Sequence, residues 1–155
     1  MNQYVESEKV ELKAKYTDAI CKEIVAFLNA DGGQIIIGVD DNGNVIGVDK
    51  IDETLKKISD VITMQIEPNP QEEIRTELKF DSGKTLIVLF ISKGTRNIYC
   101  QKKYGFSSSG CMIRIGSSCR EMSEVQIKER YKMRFFEDDI IVSSPTNLKT
   151  LSLCT

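Results

Sequence analysis

The sequence predicts a mixed α+β fold. It reads as one domain, with a mainly antiparallel or mixed sheet of about five to six strands and two or three helices. Three observations carry this. Apolar residues recur at helical spacing in three stretches: 20–28, 51–66 and from 123 onward. Short β-branched or apolar runs lie between them at 35–37, 74–80, 85–91 and 112–115. The dipeptides Asn42-Gly43 and Ser82-Gly83 separate apolar runs, as hairpin turns do. A chain of 155 residues is long enough for one core and short for two.

Taken in order, 5–16 ends in an alternation: Val10, Leu12 and Ala14 on one face, Glu11, Lys13 and Lys15 on the other. Period-two alternation predicts a strand that presents Glu11 and Lys13 side by side. Thr17 or Asp18 is placed to cap a helix whose stripe is Ile20, Ile24, Phe27 and Leu28. Lys22-Glu23 reads as that helix's solvated face, as does Lys56-Lys57 on the next. Gly32-Gly33 stops the first helix. Ile35-Ile36-Ile37 is a run expected of a strand buried on both faces, and Val45–Val48 reads as its hairpin partner across Asp41–Asn44. Ile51, Leu55, Ile58, Ile62 and Ile66 mark a second helix, ended by Pro68 and Pro70. Two strands joined at Asp81–Lys84 follow, then a polar segment to Gly110 and the short strand Met112–Ile115. Ser123 and Gln126 form a capping box for a third helix. The predicted order is β-α-β-β-α-β-β-β-α, with the domain spanning 1–136 and a linker, or the truncated start of a further module, at 137–155.

Composition narrows the chemistry. Apolar content of 41% and charged content of 28% are those of a soluble globular chain. No run approaches the roughly 18 apolar residues of a membrane span, and no signal peptide opens the chain, so no membrane and a cytoplasmic location are expected. Cys21, Cys100, Cys111, Cys119 and Cys154 have no paired zinc-ligand spacing and read as small apolar residues. The absence of histidine removes the usual general base and the triads built on it. A net charge of −2 excludes a generic nucleic-acid coat, so any such surface is local. Ser82-Gly83-Lys84-Thr85 mimics the tail of a P-loop, but the first glycine is missing and a strand follows. No ATP site is expected.

Several separated pieces then match one family in the same order. Glu6-Ser7 with Val10-Glu11-Leu12-Lys13 is similar to its E-S-x-x-x-E-F-K opening. Residues 24–29, Gly32-Gly33 and Ile37-Gly38-Val39-Asp40-Asp41 are similar to its A-F-A-N-x-x-G-G-x-x-x-I-G-V-D-D core. Met112–Arg120 is similar to its closing Y-I-R-x-G-S-S-T-R. The chain thus resembles the Schlafen-type AlbA domain, found in bacterial DNA-binding or transcriptional-regulator proteins. The departures are Leu12 for Phe, Leu28 for Ala, Met112 for Tyr and Cys119 for Thr. They alter packing positions rather than charged ones. The resemblance implies a distantly Alba-like fold and nucleic-acid association. It also implies, from animal Schlafen proteins, an RNA-cleaving site carried here by Glu6, Glu11 and Asp40 or Asp41.

Two candidate sites follow. Glu6, Glu11 and Asp40, with Lys13 beside them, would serve catalysis and hold Mg or Mn if the domain is a nuclease, since phosphodiester cleavage uses hard oxygen ligands. No other cofactor is expected. Against this stands the plain reading of Asp40-Asp41 as turn residues. The second site is basic and aromatic: Lys93, Arg96, Lys102, Lys103, Arg114 and Arg120, with Tyr99, Tyr104 and Phe106, and with Ser117 and Ser118 offering donors to a phosphate. The expected function is a nucleic-acid-binding domain of a transcriptional regulator or defence protein, for DNA or RNA. The alternatives are a divalent-metal endoribonuclease acting on tRNA or rRNA, and a non-catalytic oligomerisation module forming a homodimer.

Overall fold

The computed structural model describes residues 3–142, with side chains through Arg134. In chain order the elements are β1 (Val10–Lys13), α1 (Ile20–Leu28), β2 (Gly33–Ile37), α2 (Ile51–Met64), β3 (Ile66–Glu67), β4 (Ile74–Asp81), β5 (Lys84–Ile91), β6 (Cys100–Gln101), β7 (Met112–Ile115), β8 (Ser118–Glu121) and α3 (Glu124–Val142). The mixed α+β class is as the sequence predicts. The strands divide into one four-stranded sheet, ordered β1-β2-β5-β4, and two small ribbons, β3-β6 and β7-β8.

The central pair owes its place to composition. Ile35 and Ile37 pack beneath α1 and α2 while Ile36 faces the other side with Leu12, Leu86 and Val88, so β2 is buried on both faces. β1 runs parallel to β2, placing Glu11 opposite Ile35 and Lys13 opposite Ile37. Opposite residues share a face of the sheet, so Glu11 and Lys13 point toward α1 rather than toward solvent. Every residue of α1 except Lys22 is buried. Gly32, at φ 79°, turns the chain from α1 into β2, and a Cβ there would stand 2.4 Å from the Ile91 carbonyl oxygen. A third cluster, Ile98, Cys100, Cys111, Met122 and Ile127, sits under α3 and the last ribbon.

Three expectations need correction. Val45–Val48 is not a strand. Gly38 leaves the pleat at φ 110°, and its carbonyl accepts from both Ile46 (2.7 Å) and Gly47 (2.9 Å), so the segment wraps the end of β2 with only a Val39–Val45 bridge. α1 begins without a side-chain cap, because the carbonyls of Thr17 and Asp18 take the first amides. Glu23 is buried rather than solvated. The third helix runs to Val142, and residues 143–155 of the proposed linker lie outside the described residues.

Two turns behave as their residues dictate. Ser82 (φ 53°) and Gly83 (φ 74°) both take positive φ, the two-residue turn that matches strand twist. Ser123 Oγ accepts from the Gln126 amide at 3.2 Å, capping α3. Cys21, Cys100 and Cys111 are buried, and burial pushes the Cys100 thiol up to about 12. Such thiols pack as apolar groups and stay protonated at neutral pH. Among the described residues no helix is long and apolar enough to cross a membrane.

Candidate functional site

The β1 strand, α1 and β7 meet at a square of charges. Arg114 Nη1 lies 2.5 Å from Glu11 Oε1 and 3.4 Å from Glu23 Oε1; Lys13 Nζ lies 3.4 Å from Glu11 Oε2 and 3.5 Å from Glu23 Oε2. Each carboxylate therefore touches both cations. Arg114 Nη2 also donates to the carbonyls of Ser7 (2.8 Å) and Val10 (3.1 Å), and the guanidinium stacks 4.8 Å from the Phe27 ring. Its side chain is 1% exposed. Glu6 stands alongside, half-buried, where its Oε2 accepts from the Leu12 amide at 3.2 Å.

The sequence predicted part of this group and missed the rest. Glu6, Glu11 and Lys13 come together. Asp40 does not join them: its Oδ1 accepts from the amides of Asn42 (2.9 Å) and Asn44 (2.8 Å), and these bonds hold its carboxyl below the usual range. Glu23 takes the third acidic place. Its signal was available, because Glu23 falls at i+3 from Ile20, inside the apolar stripe rather than opposite it. Arg114 lies two residues from buried Met112 along β7 and so on the same face, which likewise points it inward.

These residues do not fit a divalent cation. Both oxygens of Glu11 are engaged by Arg114 and Lys13, and Asp40 is committed to its turn. Among the described residues, no three acidic or cysteine side chains group closely enough to hold a metal ion.

Burial raises the carboxyl of Glu6 and that of Glu23 above the ordinary value of 4.5, neighbouring Glu11 adding to both. Lys13 is held above its ordinary value too: burial opposes this, but Glu23 and Glu11 outweigh it. A carboxyl with a raised folded pKa binds its proton more tightly folded than unfolded. Its destabilising share is then present above the folded pKa and disappears as pH falls toward 4.5. The urea midpoint is expected to rise as pH falls from neutral toward 4.5, and the rise to shrink in Glu23→Gln. A midpoint that falls throughout this range contradicts the assignment. Asp40 and Asp81, both lowered by hydrogen bonds, act only below 3.8 and in the opposite sense.

The predicted basic surface is split by α1. At the helix's C-terminal end, Lys93, Arg96 and Arg130 line a cleft of about 450 Å³ together with Asn29, Asp31 and Ile113. Arg120 pairs with Ile113 across the β7–β8 ribbon and so leaves it on the same face. The helix carbonyls here are already taken, Leu28 by the Gly94 amide and Asn29 by Arg130. At the other end, Lys102 and Lys103 border a second cleft of about 410 Å³ with Asp18, Cys21 and Gln65. A nine-residue helix puts roughly 13 Å between these ends. Exposed Tyr104 lies under Lys103, at 4.9 Å.

Other predicted members have different roles. Arg114 is a buried ion-pair partner held inside by Glu11 and Glu23, at a position that also lines the cleft of Lys93 and Arg130. Tyr99 is 1% exposed and belongs to the core, and Phe106 packs on Tyr131 at 5.1 Å. Ser117 is exposed at the ribbon's turn, and Ser118 is half-buried. Arg130, which no motif singled out, enters the cleft from α3 while also donating to Asn97.

Comparison with known proteins places this geometry. The fold is similar to that of the DIP2311 protein from Corynebacterium diphtheriae, with a TM-score of 0.58 and 18% identity over 82% of this chain and 24% of that one. It is more loosely similar to the N-terminal domain of a RecG-related protein from Nitrosomonas europaea: TM-score 0.44, 20% identity, 55% of this chain and 61% of that one. The chain thus spans less than two thirds of either protein. No curated protein matches it. The sequence profile described as "Schlafen, AlbA_2" matches residues 6–123, which takes in the charge square, the β7–β8 ribbon and the lining of both clefts except Arg130, and the chain therefore belongs to the Schlafen AlbA_2 family.

Proposed function

We propose that this domain binds nucleic acid through the cleft at the C-terminal end of α1. The observation that supports it most is the convergence of Lys93, Arg96 and Arg130 on one cleft, with Arg120 beside it, in a chain whose net charge is −2. Cations from three separate segments come together there, and the 3.9 Å pair of Asp31 with Lys93 is an exposed one of little strength. Phosphates are the ligands such a cleft suits, and family membership agrees with a nucleic-acid role. Lys102, Lys103 and Tyr104 would extend the track at the far end of α1, the tyrosine offering a stacking face to an unpaired base.

Fluorescence anisotropy with labelled single-stranded RNA and duplex DNA, as a function of salt, tests this. Lys93→Ala/Arg120→Ala is expected to weaken binding about tenfold or more and to reduce the salt slope by roughly 0.7–0.9 per lost contact. Absence of binding at low salt, or a slope unchanged in the double variant, ends this reading. The same RNA incubated with Mn²⁺ is expected to remain intact, whereas cleavage lost in Glu11→Gln would favour the endoribonuclease alternative.

A further inference from the structure

β4 closes the sheet, and among the described residues its outer edge has no strand beside it. The hairpin fixes which groups that edge presents. With a two-residue turn at Ser82-Gly83, Asp81 and Lys84 form a hydrogen-bonded pair, and along a regular ladder Lys79, Glu77 and Arg75 do the same with β5. Thr76, Leu78 and Phe80 therefore turn their amides and carbonyls outward. The ladder carries no bulge, and Leu78 and Phe80 are 43% and 76% exposed. A long, regular, unpaired edge of this kind is a template for another strand.

The charges on β4 say which strand. Arg75, Glu77, Lys79 and Asp81 alternate in sign along one face. Reversing the strand about Leu78 sets Glu77 against Lys79 and Arg75 against Asp81, so β4 is complementary to its own antiparallel copy. We propose that the protein forms a two-fold homodimer in which β4 pairs with β4 of a second copy, centred on Leu78. Only registers that bring outward-facing residues together can form hydrogen bonds. Of these, centring on Glu77 opposes Glu77 to itself and Arg75 to Lys79, while centring on Lys79 opposes Lys79 to itself and Glu77 to Asp81. Both neighbouring registers are like-charged throughout, and the one centred on Leu78 is opposite-charged throughout.

In this register Leu78 exchanges backbone hydrogen bonds with Leu78 of the second copy, and Thr76 with Phe80. The ion pairs fall at the non-hydrogen-bonded positions, where opposing side chains approach most closely. The two four-stranded sheets become one, and Leu78 and Phe80 gain apolar neighbours. Within a single chain Glu77 is held by Arg75 at 2.5 Å, Lys79 lies over the Tyr4 ring at 4.9 Å, and Asp81 accepts from Tyr4 and Gln3. The Arg75–Asp81 pair is accordingly the weaker of the two. The interface is isologous, each contact occurring twice.

Sedimentation equilibrium of the whole chain tests it through charge reversal. Glu77→Lys and Lys79→Glu each place like charges across the two-fold, twice, and each alone is expected to weaken dimerisation about tenfold or more. Mixing these two variants restores opposite pairs and is expected to yield a heterodimer at wild-type strength. No repair of contacts within one chain can produce that recovery. Leu78→Pro removes an outward amide without breaking the β5 ladder, and is expected to be a folded monomer by circular dichroism. In the wild type, the amides of Thr76, Leu78 and Phe80 are expected to exchange more slowly as concentration rises. A wild type that stays monomeric at every concentration overturns the proposal. So does a dimer indifferent to reversal, or a mixture no heavier than its parts. Slow exchange of those amides in a strict monomer would instead assign the edge to another part of the same chain.

Discussion

Arg114→Met is expected to destabilise the fold by about 3–5 kcal/mol, because it leaves two buried carboxylates sharing one lysine. Methionine fills much of the space of the arginine stem, so the loss reports charge rather than a cavity. Glu11 and Glu23 lose their nearest cation, and the carbonyls of Ser7 and Val10 lose their donor. Urea unfolding followed by circular dichroism measures the change. The triple variant Glu11→Gln/Glu23→Gln/Arg114→Met is expected to recover most of it, since removing both partners of a buried pair costs far less than removing one. A single variant within about 1 kcal/mol of wild type would falsify the view that this square anchors the C-terminal ribbon.

Asn29→Ala is expected to cost a similar amount, about 3–5 kcal/mol. The Asn29 side chain lies just beyond α1, is 4% exposed, and makes three hydrogen bonds to main chain. Its amide donates to the carbonyls of Tyr99 (2.9 Å) and Met112 (2.8 Å), and its oxygen accepts from the Tyr99 amide (2.8 Å). Alanine leaves those three groups buried without partners, and unmet donors and acceptors cost more than made bonds return. Asn29→Asp is expected to be worse, keeping the acceptor but setting a carboxylate against two carbonyls. Hydrogen exchange at the Tyr99 amide checks the mechanism: it is expected to accelerate strongly in Asn29→Ala and only modestly in a surface control such as Lys56→Ala.

The regular elements were legible because their periodicity is local. The stripe of α1, the isoleucines of β2 and the Ser82-Gly83 turn are each set by residues within a few positions of one another. Val45–Val48 departs from the strand that the Asn42-Gly43 turn predicts, because the glycines at 38 and 47 take positive φ and end the pleat. The charge square was only half legible. Glu11 and Lys13 alternate as a strand demands, yet nothing in that alternation says which face a helix will cover. For the same reason nothing local announces that Arg114 pairs with Glu11 and Glu23, since a cation close to other cations in sequence can still be turned inward by its own strand. Arg130 and Lys93 reach one cleft from segments far apart in sequence, and no local pattern announces that meeting.

The square joins Glu11 to an arginine 103 residues further along the chain, and this bears on the order in which the protein is made. While the chain is being synthesised, α1 and the first strands emerge long before β7. Until then Glu11 and Glu23 have Lys13 alone to neutralise them. Closing so long a loop is slow and comes late, since the ordering of the intervening chain precedes the contact that rewards it. The N-terminal half is therefore expected to settle fully only once its last ribbon arrives. A fragment cut just before Met112 would hold the whole of the main sheet and still lack the cation that closes it.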